Sequence, residues 1–457
     1  MKRILIIISA MSILAGCTPK DPVREMTDRV FAVAQEQYSL MDTALTDDRY
    51  PRCTDEEGGL VTTTNMEWWC SGFHPGSLWY IYEYTGEEGF KDMAWKYTRR
   101  LDSLLDCVCD HDIGFQINCS YGNALRLTGD STTVIPIYVA AAQKLAERFT
   151  PQAGVIKSWN FLRNDWVYPV IIDNMMNLEL LTVGARLSGE STLADIAEAH
   201  ASTTLANHFR DDWTSWHLLD YDPQNGSVRY RETVQGYAHG SAWSRGQAWA
   251  LYGYTMMYRE TGKEEYLEAA LNIGDMLISK LPEDGIPYWD FNAPGTPDAM
   301  DSTAAGSTLN AAAYLETPLR DASAGAIMAS AFIELSTFAP EKEASDRYME
   351  TARRQLLALG SDKYLAEPGT NGYFILKHSV GNIPGNGEID VALSYADYYF
   401  LEALVRYSKI SGLKRSAGIS CSTCQEGLCR MPICTPPAAS EYSPVWDARA
   451  IADGGSH

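Results

Sequence analysis

"YRETGKEEYLEAALNIGDMLISKL", from Tyr258 to Leu281, contains the unit from which the chain is built. An apolar segment ends at Gly262, where glycine tolerates the left-handed conformation that closes a helix, and an amphipathic segment follows. The ending recurs. "YEYTG" closes at Gly86, "LRLTG" at Gly129 and "ARLSG" at Gly189, with looser versions, "IELSTFAP" and "VRYSKISG", at Pro340 and Gly412. Five of these six turns lead into an amphipathic partner, and the sixth partner is "DRVFAVAQEQYSLMDTALTD", Asp28 to Asp47. Helix pairs repeated at this length mean an array rather than one bundle. Six pairs closing on themselves predict an all-α fold, an (α/α)6 toroid of six hairpins, with apolar helices inside and amphipathic helices outside. Strand signals are sparse; "GYFILKH", around Phe374, is the best and reads as a loop hairpin.

The chain has 457 residues, 46% of them hydrophobic, enough for one large core. Three regions are expected. Residues 1–17, "MKRILIIISAMSILAGC", have the layout of a secretory signal and are too short to span a bilayer as a stable helix. Their ending resembles a bacterial lipobox, which implies cleavage before Cys17 and acylation of its thiol. The expectation is an exported lipoprotein, in the outer membrane facing the periplasm, that touches membrane only through the lipid. Residues 21–412 form the toroid. From about 415 to 457 the tail has four cysteines (Cys421, Cys424, Cys429, Cys434), small residues and prolines without helical period, and reads as disordered or foreign to the fold. Cys53, Cys70, Cys107, Cys109 and Cys119 are an odd number, so at least one is unpaired or bonded elsewhere. A net charge of −22 argues against a nucleic-acid partner but leaves room for an anionic small substrate held by local arginines.

The repeat orders the polar motifs. "WWCSGFHPG", "HDIGF", "IIDNMMN", "HGSAWSRGQAW", "RDASAG" and "EIDVALSYAD" all lie just upstream of inner helices. In a toroid they gather at one mouth. Asp112 and Asp173 then sit on neighbouring helices whose axes lie roughly 8–10 Å apart, so their side chains can share a pocket. Aspartate is a favoured helix cap, and capping is the plain reading of each one alone. Their neighbours His111, Asn174 and Asn177 are more than a cap needs. A carboxyl beside a second carboxyl and an apolar wall acquires a raised pKa and can donate a proton, and paired carboxylates serve glycoside cleavage.

Aromatic residues point to a sugar. Trp69, Trp159, Trp243 and Trp249 fall at the mouth, and Trp243 and Trp249 flank Arg245 and Gln247 in a manner suited to stacking on a pyranose. Trp79 and Trp95 read as core. Arg245 can pair with a carboxylate or sulfate in bidentate fashion, the alternative being a surface salt bridge. His217 and His239 are candidates to titrate or to donate hydrogen bonds. No metal-ligand cluster, phosphate loop or organised serine or cysteine nucleophile stands out.

"WWCSGFHPGSLWYIYEYTG", "HDIGFQINCSYGNALRLTGD", "IIDNMMNLELL" and "SAWSRGQAWALYGY" resemble the unsaturated glucuronyl hydrolases, glycoside hydrolase family 88. The resemblance runs from about Asp21 to Gly412. It implies the same (α/α)6 barrel and action on unsaturated uronyl oligosaccharides left by polysaccharide lyases. In that chemistry an aspartate matching Asp173 protonates C4 of the C4=C5 enol ether and water adds at C5. The hemiketal then opens and expels the neighbouring sugar. The resemblance makes Asp173 the general acid and base, and Asp112 the residue that holds ring hydroxyls and tunes Asp173 by like-charge repulsion. It places His111, Trp69, His217, Gln235, Trp243, Arg245 and Trp249 in the substrate pocket. One departure is His74, where an aromatic is expected in "GFxPG". Such chemistry needs one placed proton donor and a water, without metal or cofactor. Alternatives are an unsaturated rhamnogalacturonyl hydrolase, against which "RGQAW" speaks, a glycan-binding lipoprotein without catalysis, and an ordinary inverting glycosidase.

Overall fold

The computed structural model of the chain describes residues 21–46, 49–107, 110–160, 166–300 and 318–412. In order, the helices are α1 (Pro22–Ala44), α2 (Phe73–Thr85), α3 (Glu88–Arg100), α4 (Ile113–Ile117), α5 (Asn123–Thr128), α6 (Ser131–Ala146) and α7 (Leu178–Ser188). Then follow α8 (Ser191–His208), α9 (Ser244–Thr261), α10 (Glu264–Lys280), α11 (Ala322–Phe338), α12 (Lys342–Leu359) and α13 (Ser394–Ile410). The pair α4 and α5 is one helix interrupted by a π-turn at Asn118–Gly122. The inner ring is α2, α4–α5, α7, α9, α11 and α13. The outer ring is α1, α3, α6, α8, α10 and α12.

Sequence explains both rings. Residues 322–336 of α11 are all buried, as an inner helix touched on every side requires. In α12 burial falls on Tyr348, Thr351, Ala352, Gln355, Leu356 and Leu359, a single stripe. The tight turns are as the repeat predicts. Gly86, Gly129, Gly189 and Gly262 cap their helices with φ of 73°, 68°, 76° and 67°, a region that disfavours a Cβ. The inner ring closes where α13 packs on α2, and α1 packs on α2 and α12 as the sixth outer helix.

Buried charges tie four inner helices together. Arg259 of α9 bonds Glu179 of α7 and, at 2.8 Å, Glu334 of α11. Glu334 also accepts from Arg406 of α13 at 2.9 Å, and Ser330 donates to Glu402 at 2.6 Å. Each charge has a partner of opposite sign, without which burial would be prohibitive.

Two expectations are corrected. "GYFILKH" forms no regular strand: a 3₁₀ turn spans Asn371–Tyr373, and the loop closes through a single antiparallel bridge, Leu365 to Leu376, with the Ala366 N–H on the Ile375 carbonyl at 2.9 Å and the Lys377 N–H on the Tyr364 carbonyl at 2.8 Å. The cause is Asp397 on α13. Its Oδ2 and Oδ1 accept the Ile375 and Leu376 N–H groups, each at 2.9 Å, in place of a partner strand. His74, the departure from the family pattern, lies in the interior, stacked on Tyr38 with ring centroids 5.4 Å apart. It does not line the mouth. Cys53, Cys70, Cys107 and Cys119 are free thiols. No helix among the described residues is long and apolar enough to cross a membrane. Cys17 and the 415–457 tail lie outside the described residues.

Candidate active site

The mouth of the inner ring holds a cavity of about 350 Å³ lined by Asp112, Asp173, Trp69, Trp159, Gln235 and Arg245, among others. Neither aspartate is a cap. Asp112 sits at the α4 N-terminus without a capping bond, and Asp173 lies inside a 3₁₀ turn, Ile172–Asn177, that leads into α7. Asn177 docks the two segments. Its Oδ1 accepts the Phe115 N–H at 2.8 Å, and a Cβ on Gly114 would fall 2.4 Å from the same oxygen. The glycine in "HDIGF" is there for this approach. Asn174 donates to the Ile156 carbonyl at 2.8 Å and fixes the other side of the turn.

Asp173 Oδ2 is buried without a hydrogen-bond partner among the described residues. Burial pushes its carboxyl up to about 7, opposed by the Arg245 charge, its own backbone N–H and the Trp249 indole. Like-charge repulsion was expected to raise Asp173. It instead falls on Asp112, which burial, Asp110 and Asp173 together push well above the carboxylate range. Asp110, overlooked in the sequence, accepts the Asp112 N–H at 2.9 Å and is raised by its own burial.

His217 and His111 are neutral donors rather than titrating groups. His217 Nδ1 accepts the Val234 and Gln235 N–H groups at 3.0 and 3.4 Å. The proton of the neutral ring is therefore on Nε2, which lies 3.8 Å from Asp173 Oδ2 without another partner. Burial, then the Arg245 charge, lowers His217 to about 3. His111, under Asp112, has Nε2 3.4 Å from Asp112 Oδ1 and is lowered to about 3 by burial and Arg148. His239 accepts the Thr233 N–H at 3.2 Å.

The aromatic assignments shift. Trp243 and Trp249 are 2% and 1% exposed and do not line the cavity. Trp243 packs on His217, ring centroids 4.7 Å apart, and Trp249 on Phe115 at 5.2 Å. The tryptophans that line the cavity are Trp68, Trp69 and Trp159. Arg52 also lines it, with its guanidinium over Trp68 and an ion pair to Glu388 at 2.7 Å. Trp68, Asn382 and Glu388 lie in loops and carried no periodic signal, and Arg52 reaches Glu388 across 336 positions.

Arg245 is also corrected. It was expected to grip a substrate anion with both nitrogens. Its Nη1 instead donates to Asp321 Oδ2 at 3.1 Å and to the Val380 carbonyl, and Nη2 donates to the Gly381 carbonyl at 2.7 Å. Asp321 uses its other oxygen to cap α11 through the Ser323 N–H at 3.0 Å. The salt-bridge alternative holds, buried rather than at the surface. Arg245 meets the cavity with one edge and acts on Asp173 through its charge.

The fold has solved counterparts. No protein-family model matches the chain. An unsaturated glucuronyl hydrolase from Formosa agariphila is 40% identical over 359 residues, 78% of this chain and 84% of the relative. The crystal structure of an unsaturated glucuronyl hydrolase specific for heparin superposes with a TM-score of 0.77 at 39% identity, covering 85% of this chain and 98% of that one. A mutant of the Streptococcus agalactiae enzyme, complexed with dGlcA-GalNAc6S, gives a TM-score of 0.68 at 25% identity over 84% of this chain and 92% of that one. The chain belongs to the unsaturated glucuronyl hydrolases, glycoside hydrolases with an (α/α)6 barrel. The relatives favour neither the rhamnogalacturonyl branch nor a glycan binder without catalysis.

The buried ion pair gives a stability prediction. Arg245→Ala leaves Asp321 buried and unpaired, and should cost about 3–5 kcal/mol in urea unfolding at pH 7. Adding Asp321→Asn, which keeps the cap, should recover more than half of that loss. A cost under about 1 kcal/mol for Arg245→Ala would show that the pair is not desolvated.

Proposed function

We propose that the chain removes the terminal 4,5-unsaturated uronic acid from lyase-generated, glycosaminoglycan-type oligosaccharides, with Asp173 as the general acid and base. Asp173 delivers its proton to C4 of the enol ether, and then assists water adding at C5. The hemiketal opens and releases the neighbouring sugar. One observation carries the assignment: a carboxyl raised to about 7, with one oxygen unpartnered, in a cavity walled by tryptophans. Only the protonated form can protonate carbon, and a pKa near the working pH keeps that form populated. Asp112 holds ring hydroxyls beside it. His217 Nε2–H steadies charge at Asp173 Oδ2 or donates to the attacking water. Gln235 and Trp69 border the sugar, while His111, Trp243 and Trp249 orient these groups from behind. The chemistry calls on no metal or cofactor.

Asp173→Asn keeps shape and removes the transferable proton, so kcat for an unsaturated disaccharide should fall about 10²–10⁴-fold while KM changes little. Turnover is read by loss of the conjugated chromophore. In the wild type kcat/KM should fall as pH rises through about 7, because deprotonation of Asp173 removes the donor. That limb should persist in His217→Gln, since His217 is neutral throughout this range. Equal hydrolysis of the saturated disaccharide would point to an ordinary glycosidase.

We also propose that the mature protein starts at an acylated Cys17 and is held at the outer membrane facing the periplasm. Leu14-Ala15-Gly16-Cys17 after an apolar run supports this. Wild-type protein should partition with membranes and Cys17→Ala should release it; a soluble wild type would contradict the anchor.

A further inference from the structure

A second cavity, of about 400 Å³, lies beside the catalytic one, behind the segment from Lys157 to Asn160. Lys144, Arg148 and Lys157 line it, with Asn160, Thr150 and Tyr168. Trp159 lines the catalytic cavity and Asn160 this one, so one stretch of chain forms a wall of both. The positive charge is out of keeping with a protein of net charge −22. Seven of the ten lysines among the described residues form ion pairs with carboxylates. Two of the other three, Lys144 and Lys157, meet here.

Among the described residues neither lysine is paired with a carboxylate. Lys144 donates to the Cys107 carbonyl, at 3.3 Å. Lys157 is half-buried and makes no ion pair among the described residues, its ammonium 5.7 Å from the Tyr168 ring centre. Burial and the Arg148 charge lower its pKa, with Asp220 alone opposing them. Arg148 is fixed at the wall by the Lys157 and Ser158 carbonyls, at 2.8 and 3.2 Å, and by Asn160 at 3.1 Å. Glu147 is the one acidic residue lining the cavity; it is exposed and forms no ion pair among the described residues. Asp110 interacts with the Arg148 charge, whereas the two lysines have no paired carboxylate among the described residues, and like charges held together cost folding energy unless an anion relieves them.

We propose that this cavity is an oxyanion subsite that takes a sulfate group, with Lys144, Lys157 and Arg148 as its cationic wall. The sulfate comes either as an ester on an acidic oligosaccharide that extends from the catalytic cavity or as a free ion. The first source rests on the hydrolase reading above; the subsite itself does not.

Equilibrium dialysis of the full mature protein against [³⁵S]sulfate, at constant ionic strength, tests the site without turnover. Wild type should bind. Lys157→Ala and Lys144→Ala should each raise Kd at least about ten-fold, the scale of one charge-assisted contact, and Lys157→Arg should retain binding. Unchanged thermal melts show that the variants fold. No binding by wild type, or equal binding by wild type and both alanine variants, would overturn the proposal. A second arm separates the sources. If KM for a sulfated unsaturated tetrasaccharide rises about ten-fold in Lys157→Ala, while an unsulfated disaccharide is unaffected, the ligand is the substrate's ester. If sulfate binding is lost and neither KM moves, the ligand is the free ion. Absence of hydrolysis altogether would refute the activity and leave the dialysis result standing.

Discussion

The site depends on one amide. Asn177 Oδ1 receives the Phe115 N–H over the bare Cα of Gly114, and this contact sets the start of α4 against the turn that leads into α7. Asp112 precedes one side of the contact and Asp173 precedes the other. Without a glycine at 114 the segments would have to separate, and the carboxyls would no longer border one cavity. The ring supplies the larger frame. Closure of α13 on α2, with the buried arginine–glutamate network across α7, α9, α11 and α13, holds the inner helices so that their N-termini face one mouth.

Desolvation, rather than charge pairing, dominates the electrostatics of that mouth. Arg245 pulls the Asp173 carboxyl down, yet burial outweighs it and the group rests near 7. The explanation lies in Asp321 and the two carbonyls that occupy the guanidinium, leaving Arg245 a neighbour of Asp173 rather than its partner. The same burial keeps His111 and His217 uncharged, so each enters the chemistry as a donor in a fixed tautomer. A proton-donating carboxyl beside a neutral donor suits protonation of carbon better than it suits attack on an anomeric centre, which calls for an ionised carboxylate.

Much of this was legible in the sequence because it is periodic or local. Glycine closing an apolar helix is a local rule, and four such turns gave the repeat, the ring and the convergence of motifs. Their places just upstream of neighbouring inner helices singled out Asp112 and Asp173, the family resemblance gave them roles, and both line the cavity. The unread part depends on long-range contacts. Arg52 with Glu388 and Arg245 with Val380 and Gly381 join segments far apart in the chain, where neither period nor spacing operates. Asp397 took the backbone N–H groups that would have made "GYFILKH" a strand, and its place in the motif "EIDVALSYAD" gave no hint of that partner. Tryptophans near the mouth were read as platforms, but a helix-start position places Trp243 and Trp249 against the core, and the platforms are those in the loops.

The central claim is that Asp173 transfers a proton to carbon. Hydrolysis of an unsaturated disaccharide by the wild type in deuterated water, followed by NMR or mass analysis of the uronate product, tests it directly. The account predicts one deuterium at C4 of that product. A product without deuterium at C4 would contradict it.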